Sequence, residues 1–144
     1  MTSTAPDHST AALSKLTQYS PATVKRAERA LRCAPFELKL LTAMRQQSVE
    51  LKAIAGKAGW QTGYTHRPLS ELAAENYLLW LIQVGLLRRE VDGQGLTDSF
   101  RLTPLGHQLS ERWQQRGRLA APSLSDRLYN ALSRRLRLPS WIQF

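Results

Sequence analysis

The chain has 144 residues, 42% of them hydrophobic, with a single cysteine, Cys33, and a net charge of +9. That length fits one domain with appendages, and one cysteine excludes a disulfide framework. No stretch approaches the roughly 20 apolar residues of a membrane-spanning helix, and the sequence as given has no secretory-signal pattern, so a cytoplasmic location is expected. An organelle transit peptide in the Ser/Thr- and Arg-containing, acid-poor residues 1–34 is the alternative.

Residues 1–12 are small and polar and read as a disordered tail. Residues 13–34 read as a basic helical extension. In it Pro21 to Leu31 forms a helix with Val24, Ala27 and Leu31 on one side and Lys25, Arg26 and Arg29 around it. Pro35 opens a second helix, on which Phe36, Leu40, Leu41 and Met44 share a face. Ser48 is expected to cap a third, SVELKAIAGKAGW, which Gly59 ends before a polar turn of about eight residues, QTGYTHRP. The longest helix is expected from Pro68 to Val84. Its second half, NYLLWLIQV, is apolar nearly all round and so belongs in the core, Trp80 included.

Gly85 then stops that helix, Leu86 to Val91 reads as a strand, and Asp92-Gly93-Gln94-Gly95 turns the chain into a returning strand from Thr97 to Leu102. In RLTPLGHQL the period lengthens abruptly from two to four residues. Thr103 suits the N-cap and Pro104 the first helical position, so the strand runs straight into a helix reaching about Arg116. Leu105, Leu109 and Trp113 form its stripe. After Gly117 and a short linker, Ser123-Leu124-Ser125-Asp126 matches a capping box for a last basic helix in 123–144, which Pro139 must stop. That helix aligns Leu124, Leu128, Ala131, Leu132 and Leu136.

Charge is unevenly spread. Lys and Arg exceed Asp and Glu by three in residues 1–34 (five against two) and by five in 104–144 (seven against two). In 35–84 the balance is five against four, and in 85–103 three against three. Such an excess calls for a polyanionic partner, nucleic acid first and an anionic membrane surface second.

Enzyme chemistry leaves no mark. Ala55-Gly56-Lys57-Ala58 lacks the upstream glycine and the hydroxyl of a phosphate loop, and Gly93-Gln94-Gly95 sits in a hairpin tip rather than between strand and helix. His8, His66, His107 and Cys33 have no metal-ligand spacing. No catalytic residue, cofactor or metal is expected.

Three helices, the third ending in LIQVGLL, then a Gly-tipped hairpin, then LTPLG opening a helix: over residues 35–113 this resembles the winged helix-turn-helix family. The residues that carry the likeness are Leu78, Leu81, Gly85-Leu86-Leu87-Arg88-Arg89, the hairpin at 88–102 and Arg101 to Gly106. The expected fold is therefore mainly α with a small β-hairpin, a winged-helix domain at 35–117 with extra N- and C-terminal helices. The resemblance implies a DNA-binding transcriptional regulator, cytoplasmic and nucleoid-associated, that reads the major groove of double-stranded DNA with the helix at about 65–84. Carried onto this chain, the contacts are Thr62, Tyr64, Thr65, His66, Arg67 and Ser70, with Arg67 suited to guanine and Tyr64 and Thr65 to phosphates. On the wing they are Gln94, Thr97 and Arg101, which point away from the side that Phe100 and Leu102 bury.

The neutral middle of the chain requires the ends to hold most phosphates, through Arg127, Arg134, Arg135 and Arg137. A homodimer is expected through the stripes at 105–113 and 124–136, which lack an obvious internal partner. Glu71 and Glu75, early on the reading helix, and the long preceding turn keep an alternative open. In it the chain is a non-enzymatic winged-helix adaptor that binds protein, or rests on an anionic membrane through residues 123–144 and Trp141.

Overall fold

The computed structural model describes residues 19–117 and 121–136, and every side chain among them except those of Arg135 and Leu136. The expected tail at 1–12, Arg137, Pro139 and Trp141 lie outside the described residues. The elements are α1 (Pro21–Cys33), α2 (Leu38–Gln46), β1 (Val49–Glu50), α3 (Leu51–Ile54), α4 (Gly56–Thr62), α5 (Glu71–Gln83), β2 (Leu87–Asp92), β3 (Gly95–Leu102), α6 (Pro104–Arg116) and α7 (Leu124–Leu136).

Helix α1 starts where its cap and proline place it: the Ser20 hydroxyl accepts the Thr23 amide at 3.1 Å, and Pro21 occupies the first turn. Ala27, Ala30 and Leu31 bury into the same core as the rest of the chain, so α1 is part of the domain's packing and not an appendage. After it, residues 35–37 clasp residues 64–66. The Glu37 amide donates to the Tyr64 carbonyl at 2.8 Å, and the His66 amide donates to the Pro35 carbonyl at 3.0 Å. Phe36 pairs with Thr65 as an isolated bridge, so the second helix begins at Leu38 rather than at Pro35.

The helix expected from Ser48 to Gly59 is broken in two places. Val49 and Glu50 are extended and pair with Phe100 and Ser99, which turns the expected hairpin into a three-stranded antiparallel sheet of order β1-β3-β2. Ala55 is also extended, with ψ 158°, and separates α3 from α4. Gly59 does not end the helix. It lies inside α4, where a Cβ would stand 1.8 Å from the Ile54 carbonyl oxygen, so this close turn admits only glycine. The stop comes at Gly63, with φ 86°. Ser70 then caps α5 through the Ala73 amide at 3.1 Å, so the long helix begins at Glu71 and leaves residues 63–70 as loop.

The hairpin pairs Leu87 with Leu102 and Arg88 with Arg101, and buries Phe100 and Leu102. The strand-to-helix junction follows. Thr103 accepts the Gly106 amide at 3.1 Å and donates to the Gly85 and Leu86 carbonyls, tying the start of α6 to the end of α5. Gly106 completes this contact, since a Cβ there would meet the Leu86 carbonyl oxygen at 2.2 Å.

Helix α6 buries Leu105, Leu109 and Trp113 inside the domain, so that stripe is not available for a dimer. Helix α7 does the opposite. Its capping box forms as expected, the Ser123 hydroxyl accepting the Asp126 amide and the Asp126 carboxylate accepting the Ser123 amide, both at 3.1 Å. Yet Leu124, Leu128 and Leu132 remain exposed, and the helix packs on α1 and α5 through polar groups. Asp126 accepts from Arg32 at 3.2 Å, and Asn130, 9% exposed, accepts the Trp80 indole N–H at 2.7 Å. Arg134 lies 4.7 Å over the ring of Tyr77.

Candidate nucleic-acid interface

The helix expected to enter the major groove is α5. Leu78 and Leu81 of this helix are fully buried, and the side turned to solvent carries Leu72, Asn76, Leu79 and Gln83, with Glu71 beside them. Among the described residues no cation stands on this face. Glu75, on its edge, is paired with Arg89 of β2 at 3.4 Å.

The β2–β3 hairpin is equally self-contained. Arg89 also pairs with Asp98 at 2.8 Å, and Arg101 pairs with Glu90 at 3.3 Å, so Arg101 is half-buried and engaged rather than free. Thr97 donates its hydroxyl to the Glu90 carbonyl and accepts the Ser99 amide. Gln94 is exposed at the tip, its amide held by Asp92. Arg88 is exposed and has no carboxylate partner among the described residues. Val91 and Leu96 face each other across the hairpin and are both exposed, an apolar pair at its distal end.

The remaining expected contacts come from the end of α4 and the loop before α5, not from α5 itself. Thr65 is 3% exposed, its hydroxyl buried without a partner, so it is a core residue and cannot reach a phosphate. Tyr64 is half-buried and packs on the core. Thr62 donates to the Ala58 carbonyl at 2.7 Å within α4, and Ser70 is occupied by its cap. His66 pairs with Glu37. Arg67 is exposed, but it lines a different surface, a cleft that also receives Arg127 and Arg134 of α7. The fold thus brings three of the expected arginines together and separates them from the solvent face of α5.

His107, in the first turn of α6, is kept below the ordinary histidine value, first by burial and then by Arg45, Arg101 and Arg88. Burial, then Asp126, pushes the Cys33 thiol up, which disfavours the nucleophilic thiolate. Among the described residues no group of three His, Cys, Asp or Glu side chains could hold a metal, and no helix is long and apolar enough to cross a membrane.

No curated protein and no solved structure matches the chain. One family model does, over residues 17–134, a span that takes in all three strands and every helix from α1 to the last turn of α7. The chain belongs to the Npun_F0494-like family.

Proposed function

We propose that this chain is a non-enzymatic winged-helix binding module whose α5 and wing engage a protein rather than a DNA groove. The winged-helix part of the reading is supported by the element order α2, β1, α3/α4, α5, β2, β3, α6 and by the sheet order β1-β3-β2. The protein part rests on one observation: the solvent face of α5 presents Leu72 and Leu79 with Asn76, Gln83 and Glu71, and no cation. Leu72 alone is 70% exposed. Burying such a leucine in an interface yields about 1.5–3 kcal/mol, whereas a carboxylate brought to the phosphate backbone is repelled. The partner surface has an apolar centre and a basic rim. A photoreactive residue in place of Asn76 should crosslink to a defined protein in cell extract, and Leu72→Asp in the same chain should abolish the adduct. Adducts made equally from a photoreactive residue at Lys25 on α1 would contradict the assignment.

A second reading is favoured by the net charge of +9 and by the exposed arginines outside the wing. In it the partner is duplex DNA and the chain a transcriptional regulator, held by the basic side of the molecule instead of α5. Under either reading a homodimer would form through the exposed leucines of α7 alone, and sedimentation of wild type against Leu128→Asp tests it. Anionic liposomes that capture the wild type but not Leu128→Asp would assign the same stripe to a membrane surface.

A further inference from the structure

The end of α1, the clasp at 35–37 and 64–66, Arg67, and the inner side of α7 enclose an open cleft of about 700 Å³. Small-molecule sites fall in the range of roughly 300–1,000 Å³, so the space suits a ligand of nucleotide size and exceeds what a lone inorganic ion needs. Its charge is one-sided. Arg32, Arg67, Arg127 and Arg134 line it, and the single carboxylate among the described residues of the lining, Glu37, is engaged by His66. Arg32 has Asp126 as a partner through one terminal nitrogen, but its Nε is buried without any. Among the described residues Arg67, Arg127 and Arg134 have no carboxylate partner at all.

The floor adds hydrogen-bonding capacity of one sign. Asn130 is nine-tenths buried and spends its carbonyl oxygen on the Trp80 indole, which leaves its amide N–H groups as donors. Tyr77 lies under the Arg134 guanidinium, so a flat cation is stacked and held at the wall. Donors and cations converge on this space with one engaged acid among them. Guanidinium groups match phosphate oxygens in planar, paired hydrogen bonds, and three unpaired ones call for an anion of more than one charge.

We propose that this cleft binds a small phosphorylated organic molecule, its phosphate oxygens held by Arg67, Arg127 and Arg134 and its body by the Tyr77 and Asn130 side. The site shares no residue with the solvent face of α5, so the two assignments stand or fall separately.

The test is calorimetric titration of the full chain with ATP, glucose 6-phosphate and pyrophosphate, with adenosine as the phosphate-free control. At least one of the two organic phosphates should bind saturably at one per chain. Adenosine should bind at least about tenfold more weakly, as should the favoured phosphate to Arg67→Ala and Arg127→Ala, each of which removes a charge-assisted pair. Both side chains are exposed, so circular dichroism should show an unchanged fold. Arg88→Ala, on the wing, removes the same charge and should leave affinity within about twofold, the size of a screened long-range effect. Absence of saturable binding by ATP and glucose 6-phosphate up to about 1 mM would overturn the proposal. So would an equal loss in Arg88→Ala, which would mean diffuse charge only. A random-sequence duplex that binds more tightly than either organic phosphate and depends on Arg67 to the same degree would also overturn it, in favour of a nucleic-acid backbone.

Discussion

Helices α6 and α7 carry the same pattern of leucines four apart, and the fold uses them in opposite ways. Trp113 at the end of the α6 stripe is 1% exposed, while Leu124 at the start of the α7 stripe is 84% exposed. The difference lies in what each helix meets. Helix α6 is fixed at its first turn by Thr103 and Gly106 against the Leu86 backbone, which lays its stripe on the apolar core. Helix α7 meets a surface of Arg29, Arg32, Tyr77 and the Trp80 indole N–H, and only its polar side answers that chemistry. Amphipathicity therefore marks a face that seeks cover. It does not say whether the cover is the same chain or a partner.

The largest test of this contrast is a pair of truncations. Trp113→Ala should destabilise the fold by about 3–5 kcal/mol, as for a buried aromatic. Leu128→Ala, exposed on α7, should shift a urea midpoint by no more than about 0.5 kcal/mol in equivalent free energy at low protein concentration. Comparable losses would mean that the α7 leucines are covered within the monomer.

Asn130→Ala attacks the polar anchor of α7 and should cost about 1–3 kcal/mol, because it leaves the buried Trp80 N–H without an acceptor. Asn130→Asp keeps an acceptor oxygen and should lose less. If both variants unfold identically to wild type, the indole bond does not hold the helix.

The smallest effect is one of pH. The Ser123 amide, donating to its carboxylate, holds Asp126 below the usual carboxylate value. The Ser123 hydroxyl, Arg32 and Arg29 act the same way, and burial opposes them. A carboxylate depressed in the folded state contributes stability that is fully present above its unfolded pKa, about 3.9, and is lost as pH falls through the folded value. Trp80 emission should accordingly shift as α7 loosens below about pH 4, and Asp126→Asn should remove that step.

The sequence made local signals legible and left non-local ones hidden. Thr103-Pro104 as a cap, Ser123 to Asp126 as a capping box and Gly85 as a stop are read within one turn of themselves, and the structure uses each as its chemistry suggests. The β1 strand was hidden because Val49 and Glu50 take their partners from Phe100 and Ser99, about a third of the chain away. A shorter but still non-local pairing hid Thr65, which reads as an exposed turn residue until Phe36 pairs with it. Of the expected contact residues, Arg67, Arg127 and Arg134 gather on one surface that no single motif announced. The only sequence-level trace of it was the concentration of charge toward the two ends of the chain. Glu71 and Glu75 were legible from the start as a mismatch with phosphate, and the exposed leucines of α5 extend that mismatch.

The most direct test of the proposed protein-binding face is selection of the full chain against random duplex DNA at physiological salt. If α5 and the β2–β3 hairpin serve a protein, no sequence should be enriched, and residual binding should fall with salt and be insensitive to Asn76→Ala and Leu72→Ala. An enriched site whose preference is lost in either variant would contradict the account and return α5 to the major groove.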